Sequence, residues 1–309
     1  MSTIRLDSNS TTGSSWNRAR WQDHFMAVSG SRNVYAVLLV SALFLILYGQ
    51  VFRSMVQQWW DDPNYGHGFL VPAFAAYILW RERGRRREIA IHESNWGLPI
   101  MFAAIGMLLL GILGSEHFTA RFSALILISG IVVFVAGWQA LRSVSFPMAY
   151  LIFMIPLPAI IYYQLTFPLQ ILASRLGESG LVALGVRAVR EGNLLILPNC
   201  TLEVVEACSG VRSLLSLVAV VVGYVYLVEP AIWKRCILIA LTIPIVIASN
   251  GLRLVSAGLL SFLIGPETDS GVVHAGLGLI VFVLAFLSIV LIHRLLRRLT
   301  AKHVLVPAN

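Results

Sequence analysis

An all-α polytopic membrane protein, with about eight transmembrane helices and a small extracytoplasmic cap between the fifth and sixth, is predicted by three features of the chain. Hydrophobic residues make up 58% of its 309 residues, charged residues only 12%, and mean hydropathy is +0.80, more apolar surface than a soluble core can use. The apolar residues gather into runs close to the roughly 20 that carry a helix across about 30 Å of hydrocarbon. Such continuous runs exclude a barrel, whose strands alternate, and lipid leaves no third way to satisfy the backbone. Finally, the basic residues collect between the runs, where orientation in a membrane explains them better than nucleic-acid binding despite a net charge of +8.

Residues 1–33 are polar and rich in Ser and Thr, with no apolar segment of the signal-peptide kind, and are expected to stay as a cytoplasmic tail. The transmembrane domain then occupies 34–293, with spans at 34–52, 67–80, 97–114, 121–138, 144–163, 213–228, 236–252 and 272–293. The second is short for a bilayer. The apolar piece 254–265 either continues the seventh span or folds back as a re-entrant segment. A basic tail, 294–309, closes the chain. With the N-terminus inside, 16 of the 23 Lys and Arg residues fall on the cytoplasmic side, and an even span count returns the basic C-terminus there. Trp59, Trp60, Tyr162, Tyr163 and Trp233 lie near span ends and read as headgroup-level anchors.

The longest loop, 164–212, forms the expected outer cap. Within it 165–189 has apolar residues at helical spacing and reads as an amphipathic helix along the outer surface. Residues 192–199 and 202–206 read as two short extended segments around a Pro-Asn turn.

Chemistry concentrates on that outer side. Cys208, in Glu206-Ala207-Cys208-Ser209-Gly210-Val211-Arg212-Ser213-Leu214, stands just ahead of the sixth span, Arg253 follows the seventh, and His274 opens the eighth. A thiol at a helix N-terminus beside a cation is biased toward the nucleophilic thiolate. A histidine in a first helical turn is biased toward neutral imidazole, a competent base. Arginine stays charged and offers a planar fork of donors to an oxyanion or a carboxylate, and Asn250, one turn earlier, could brace it. Taken singly, each has a plainer role: Cys208 as a small packing residue, Arg253 as an interfacial anchor, His274 as an interhelical hydrogen-bond partner. Together on one face they change the balance, since ionisable residues at membrane depth are costly and usually have functional partners. His67 at the head of the second span competes for the role of base, while Glu206, Glu203, Asp61 and Asp62 could orient it. The three cysteines Cys200, Cys208 and Cys236 lack zinc spacing, no phosphate loop or dinucleotide fingerprint is present, and no metal or cofactor is expected. Cys200 reads as a free or packing thiol.

These residues resemble the exosortases and archaeosortases, membrane cysteine transpeptidases or proteases. The segment around Cys208 looks like the family's nucleophile motif, Asn250-Gly251-Leu252-Arg253 like its arginine motif, and His274 stands where its histidine is expected. Tyr65-Gly66-His67-Gly68-Phe69-Leu70-Val71-Pro72 and Phe153-Met154-Ile155-Pro156-Leu157-Pro158 look like supporting signatures, although Gly66 replaces a more usual Ser. The resemblance implies catalysis by Cys208, Arg253 and His274, with His67, Asn250, Glu206 and Arg212 supporting. It also implies exported protein substrates ending in a Pro-Glu-Pro type motif, an apolar helix and a basic tail, an unidentified acceptor nucleophile, a link to exopolysaccharide production and a place in the inner membrane. A rival from another class is a non-catalytic membrane component of polysaccharide or lipid-linked cargo export, in which polar span ends line a pathway.

Overall fold

A computed structural model describes residues 31–86, 89, 92–204, 210–265 and 271–304, with backbone alone at 31–41, 271–275 and 301–304. Two compact units divide it, 1–53 and 54–309. In the first, the helix α1 (Ser31–Asp61) begins, and Phe44, Tyr48 and Phe52 form a ladder of rings at i, i+4 spacing, with neighbouring centroids 5.1 and 6.3 Å apart. The second unit receives the last two turns of α1 and everything that follows.

Asp62 ends α1 and starts the next element, its side chain accepting the Asn64 amide at 2.9 Å ahead of Pro63. A 3-10 helix (Pro63–Phe69) leads directly into α2 (Leu70–Arg81). The combination resolves the short second span. Seven residues at about 2.0 Å and twelve at about 1.5 Å reach about 32 Å, long enough to cross. The basic run then folds back on its own helix, Arg86 donating to the carbonyls of Ile78 and Leu79 at 3.1 and 2.6 Å.

The helices α3 (Gly97–Leu113) and α4 (His117–Tyr150) form a hairpin closed by Glu116, whose carboxylate accepts the amides of Phe118 and Thr119. Small residues allow the close approach: a β-carbon on Gly111 would meet the Ala120 amide nitrogen at 2.6 Å. One residue, Gly137 (φ +83°, ψ 179°), breaks α4 into two arms, in a conformation that side chains other than glycine rarely adopt. The carbonyls released there are taken by the preceding segment, His92 and Ser94 donating to Ala136 and Phe134.

This corrects the expected pair of spans at 121–138 and 144–163. Residues 139–143 are helical instead of a loop, the break is one glycine, and the second arm ends in a 3-10 turn (Leu151–Met154) before Pro156 and Pro158. Tyr162 therefore belongs to the next helix, α5 (Ala159–Ala183). That helix also replaces the predicted one over 165–189, starting and ending about six residues earlier, because Leu181 and Val182 carbonyls close on Val186 and on Gly185 (φ +83°).

Three short antiparallel strands follow, β1 (Val189–Glu191), β2 (Leu194–Ile196) and β3 (Thr201–Glu203), in the order β1-β2-β3. The expected extended pair is β2 and β3; β1 is an addition. Leu195, Leu197, Leu202 and Val204 pack with Ala173 and Leu181 of α5 and with Leu254 into a small core of their own, and Cys200 packs against it.

The remaining helices are α6 (Val211–Val228), α7 (Ile232–Ile264) and α8 (Gly271–Val304). Leu217, Val221 and Val225, each four residues apart on α6, pack with Leu238 and Val246 of α7 and Ala285 and Ile289 of α8. At 33 residues α7 is about 50 Å long, well beyond a bilayer's hydrocarbon. Residues 254–264 thus continue the helix and are not re-entrant, and their outer length is covered by α5 and the sheet. Among the described residues, His117–Met154, Val211–Val228, Ile232–Ile264 and Gly276–Thr300 are long and apolar enough to cross a membrane, and Gly97–Leu113 is a shorter apolar helix. The chain is an all-α polytopic membrane protein with a small strand-bearing cap.

Two of the expected anchors are core residues. Trp59 is buried and donates its indole N–H to the Met154 carbonyl at 2.9 Å, and Tyr162 is buried beside Tyr65. Trp60, Tyr163 and Trp233 are exposed, as headgroup-level rings would be.

Candidate functional site

Helix α6 starts at Gly210, whose φ of +85° turns the chain into the first helical amide. A β-carbon at Gly210 would lie 2.9 Å from Asn250 Cγ, so the start of α6 rests directly on α7. Cys208 and Glu206 lie in 205–209, outside the described residues; Cys208 is two residues ahead of this contact.

Asn250 and Arg253 are one turn apart on α7, 5% and 8% exposed respectively. Arg253 was expected just past the end of the seventh span at 252; it sits well inside the helix, which runs on to Ile264. Its Nη1 is 3.5 Å from where a β-carbon on Gly278 of α8 would stand. Gly278 lies one turn after position 274, on the same face of that helix. The backbone at His274 is helical, and its side chain is outside the described residues. Ser213, Asn250, Arg253 and Gly278 rim a narrow cleft walled by Leu217, Val246, Phe282 and Ala285, with about 10 Å³ of free space, room for one water.

The other side of the α6 N-terminus holds the segment that precedes α2. Arg212 Nε donates to Asn64 Oδ1 at 3.0 Å, and Ser216 Oγ lies 3.3 Å from His67 Nδ1. Both Arg212 and His67 are half-buried. Gly68 packs against the Trp59 ring that bonds to Met154, so the indole ties the segment Tyr65–Pro72 to the segment Phe153–Pro158. The first turns of α6 therefore serve two neighbours: Arg212 and Ser216 engage Asn64 and His67, while Ser213 and Leu217 face the Arg253 cleft.

Asn64, Ser213, Ser216 and Gly278 were not singled out by the sequence. A serine in an apolar helix usually bonds its own backbone, and only the three- and four-residue spacing from Arg212 and Ser213 hinted that these hydroxyls share faces with the motif residues.

What the frame can do chemically follows from its parts: a helix N-terminus two residues from a thiol in sequence, a buried guanidinium fork, and a facing helix that carries position 274 one turn along from the glycine that meets the guanidinium. Searches among curated proteins and among solved structures return no match. The sequence profile described as transmembrane exosortase matches residues 59–291, from the Trp59 that braces the lead-in segment to the helix that carries His274. That match covers well over half of the chain and every helix that walls the cleft, and the chain belongs to the transmembrane exosortase family.

Proposed function

We propose that this protein is an integral membrane cysteine transpeptidase or protease that cleaves the C-terminal sorting signal of exported proteins through a thioester on Cys208. The observation that carries the reading is the convergence at the Arg253 cleft. Gly210, two residues after Cys208, packs on Asn250, and Gly278, one turn after His274, packs on the Arg253 guanidinium.

In this reading Cys208 loses its thiol proton to His274 and attacks the scissile carbonyl. Arg253 donates hydrogen bonds to the oxyanion. The tetrahedral intermediate collapses as imidazolium gives its proton to the leaving amine, which departs with the substrate's C-terminal helix. An acceptor nucleophile or water, deprotonated by His274, attacks the thioester and releases Cys208. Asn250 braces the arginine, Glu206 and Arg212 shape the lead-in, and His67 with Ser216 contacts the arriving segment.

The substrates are exported proteins with a Pro-Glu-Pro type motif, an apolar helix and a basic tail, made alongside exopolysaccharide in the inner membrane. A surface for such a helix is present. On α8, Leu279, Ile280, Val283, Leu284, Leu287 and Leu291 are exposed, an apolar stripe on the helix that carries His274. With both termini cytoplasmic, a substrate helix lying there keeps its basic tail inside and brings its motif to the outer cleft.

The test is mass spectrometry of a tagged substrate co-expressed with the intact protein or with Cys208→Ala. The intact protein is expected to yield substrate truncated at the motif, with either a free or an acceptor-linked carboxyl end. Continued processing by Cys208→Ala at normal expression would remove the cysteine from the mechanism.

A further inference from the structure

Away from the Arg253 cleft, at the end of the bundle that carries Asn64, His67 and Arg212, a cavity of about 330 Å³ opens between the last turns of α1, the α3–α4 connection and the start of α5. It falls within the range of small-ligand sites, about 300–1,000 Å³. Its walls combine Gln58, Ser115, His117 and Arg121 with Phe118 and the run Pro156–Ile160.

Arg121 is 5% exposed. Its Nη1 donates to Gln58 Oε1 at 2.7 Å, its Nη2 lies 3.5 Å from Ser54 Oγ, and its Nε has no partner. Both partners are neutral, and no carboxylate lies within ion-pair distance among the described residues. Glu116, the acid that shares the cavity wall, spends its carboxylate on the amides of Phe118 and Thr119. A buried guanidinium whose hydrogen-bond partners are neutral, with Glu116 acting on it only through space, is costly at a membrane surface, and the arrangement persists where an anion arrives from outside.

We propose that this cavity binds the headgroup phosphate of a membrane phospholipid, with Arg121 as the cation. Guanidinium and phosphate match as a planar fork to tetrahedral oxygens. Ser115 and His117, at the mouth, supply further donors. A soluble anion would leave the surroundings unexplained, whereas a phospholipid accounts for them. Ile160, in the cavity wall, and Leu113 and Trp60, each two residues in sequence from a lining residue, are 73%, 82% and 80% exposed, and acyl chains extending from the headgroup would cover them. The site is independent of Cys208 chemistry and stands whether or not the proposed cleavage does.

The experiment uses the full chain purified in detergent, stripped of lipid and exposed to vesicles of phosphatidylethanolamine and phosphatidylglycerol, with bound lipid counted by native mass spectrometry. One retained phospholipid per chain is expected, falling at least about tenfold in Arg121→Gln. Because Arg121 is buried, Ala159→Trp is run in parallel: it narrows the exposed mouth, keeps the arginine, and should also lose the lipid. Retention unchanged in either folded variant overturns the site. Thermal protection by inorganic phosphate that depends on Arg121, without retained lipid, would reassign the cavity to free phosphate. A rise in KM for a peptide substrate in Arg121→Gln with lipid retention intact would reassign it to a substrate carboxylate.

Discussion

Arg253 sits 8% exposed on the cleft face of α7, and in the proposed mechanism its value would lie in the directed fork of donors that a lysine cannot reproduce. Arg253→Lys is expected to remain folded and membrane-inserted yet lose about 100-fold in kcat, the scale of deleting an oxyanion donor; processing within a few-fold of normal would reduce it to a general cation. His274 and His67 separate by a different measurement. The structure attaches His67 to Ser216, on the side of α6 away from the Arg253 cleft, whereas position 274 is one turn from Gly278 inside it. His274→Ala should abolish trapping of the acyl-enzyme, while His67→Ala should raise KM and recover at high substrate; the reverse pattern would move the general base to His67. A third residue carries a pH signature. Burial pushes the Glu116 carboxyl up, but the Thr119 hydroxyl and amide, the Phe118 amide and nearby His117 outweigh it and hold the group below its usual range. A depressed folded pKa stabilises above the unfolded value and is lost as pH falls through the folded one. Thermal unfolding should thus show an acid-side loss of about 1 kcal/mol that Glu116→Gln no longer shows, the usual worth of a helix cap.

At the scale of elements, Gly137 makes the sharpest prediction. Gly137→Ala puts a β-carbon at φ +83° and against the His92 carbonyl, which should cost about 1–3 kcal/mol and lower Tm measurably; an unchanged Tm would mean the α4 arms tolerate another join. Next to it lies the main element that sequence reading misplaced. Gln139, Arg142 and Ser143 look like a polar loop, but they occupy a helix end where Ser143 bonds the Ala140 carbonyl and the helix pays nothing for their polarity. The glycine that does break the chain lies two residues ahead of that polar stretch, still within the apolar run. A buried pair at the opposite end of α6 was equally silent: Glu229 accepts the Ala231 amide and lies 2.9 Å from His293, which in turn lies 2.8 Å from the Tyr224 hydroxyl. Glu229→Ala strands a buried histidine bonded to a half-buried tyrosine, and a loss of about 3–5 kcal/mol is expected in thermal unfolding if the pair is charged; a loss under about 1 kcal/mol would show that the imidazole finds water instead.

For the whole molecule, hydropathy and charge made the class and most helices legible, because continuous apolar runs have only one stable form in lipid. Motif order made the site's flanks legible too, and the structure brings Arg253, Asn250 and Ser213 to one cleft. Pairings between distant segments, such as Asn64 with Arg212 or Trp59 with Met154, were not, since no local pattern encodes which of two amphipathic side chains turns inward. The threading itself is testable with exposed positions at the two ends. In a background with Cys200, Cys208 and Cys236 all replaced by Ser, Glu203→Cys in β3 should react with an impermeant thiol reagent in intact cells, and Arg85→Cys only after permeabilisation; the opposite labelling would invert the topology. The unbroken length of α7 then has a consequence of its own. Arg253 is 21 residues from the start of a continuous helix that runs through Pro244, about 32 Å along it, close to the thickness of a bilayer's hydrocarbon. In the proposed threading such a helix would act as a ruler, its lower end at one surface of the bilayer and the guanidinium at a height near the other. The bond that is cut would be chosen by elevation above the membrane as much as by the residues around it, so thinning the bilayer should shift the cleavage position along a substrate whose own helix tilts to follow the lipid.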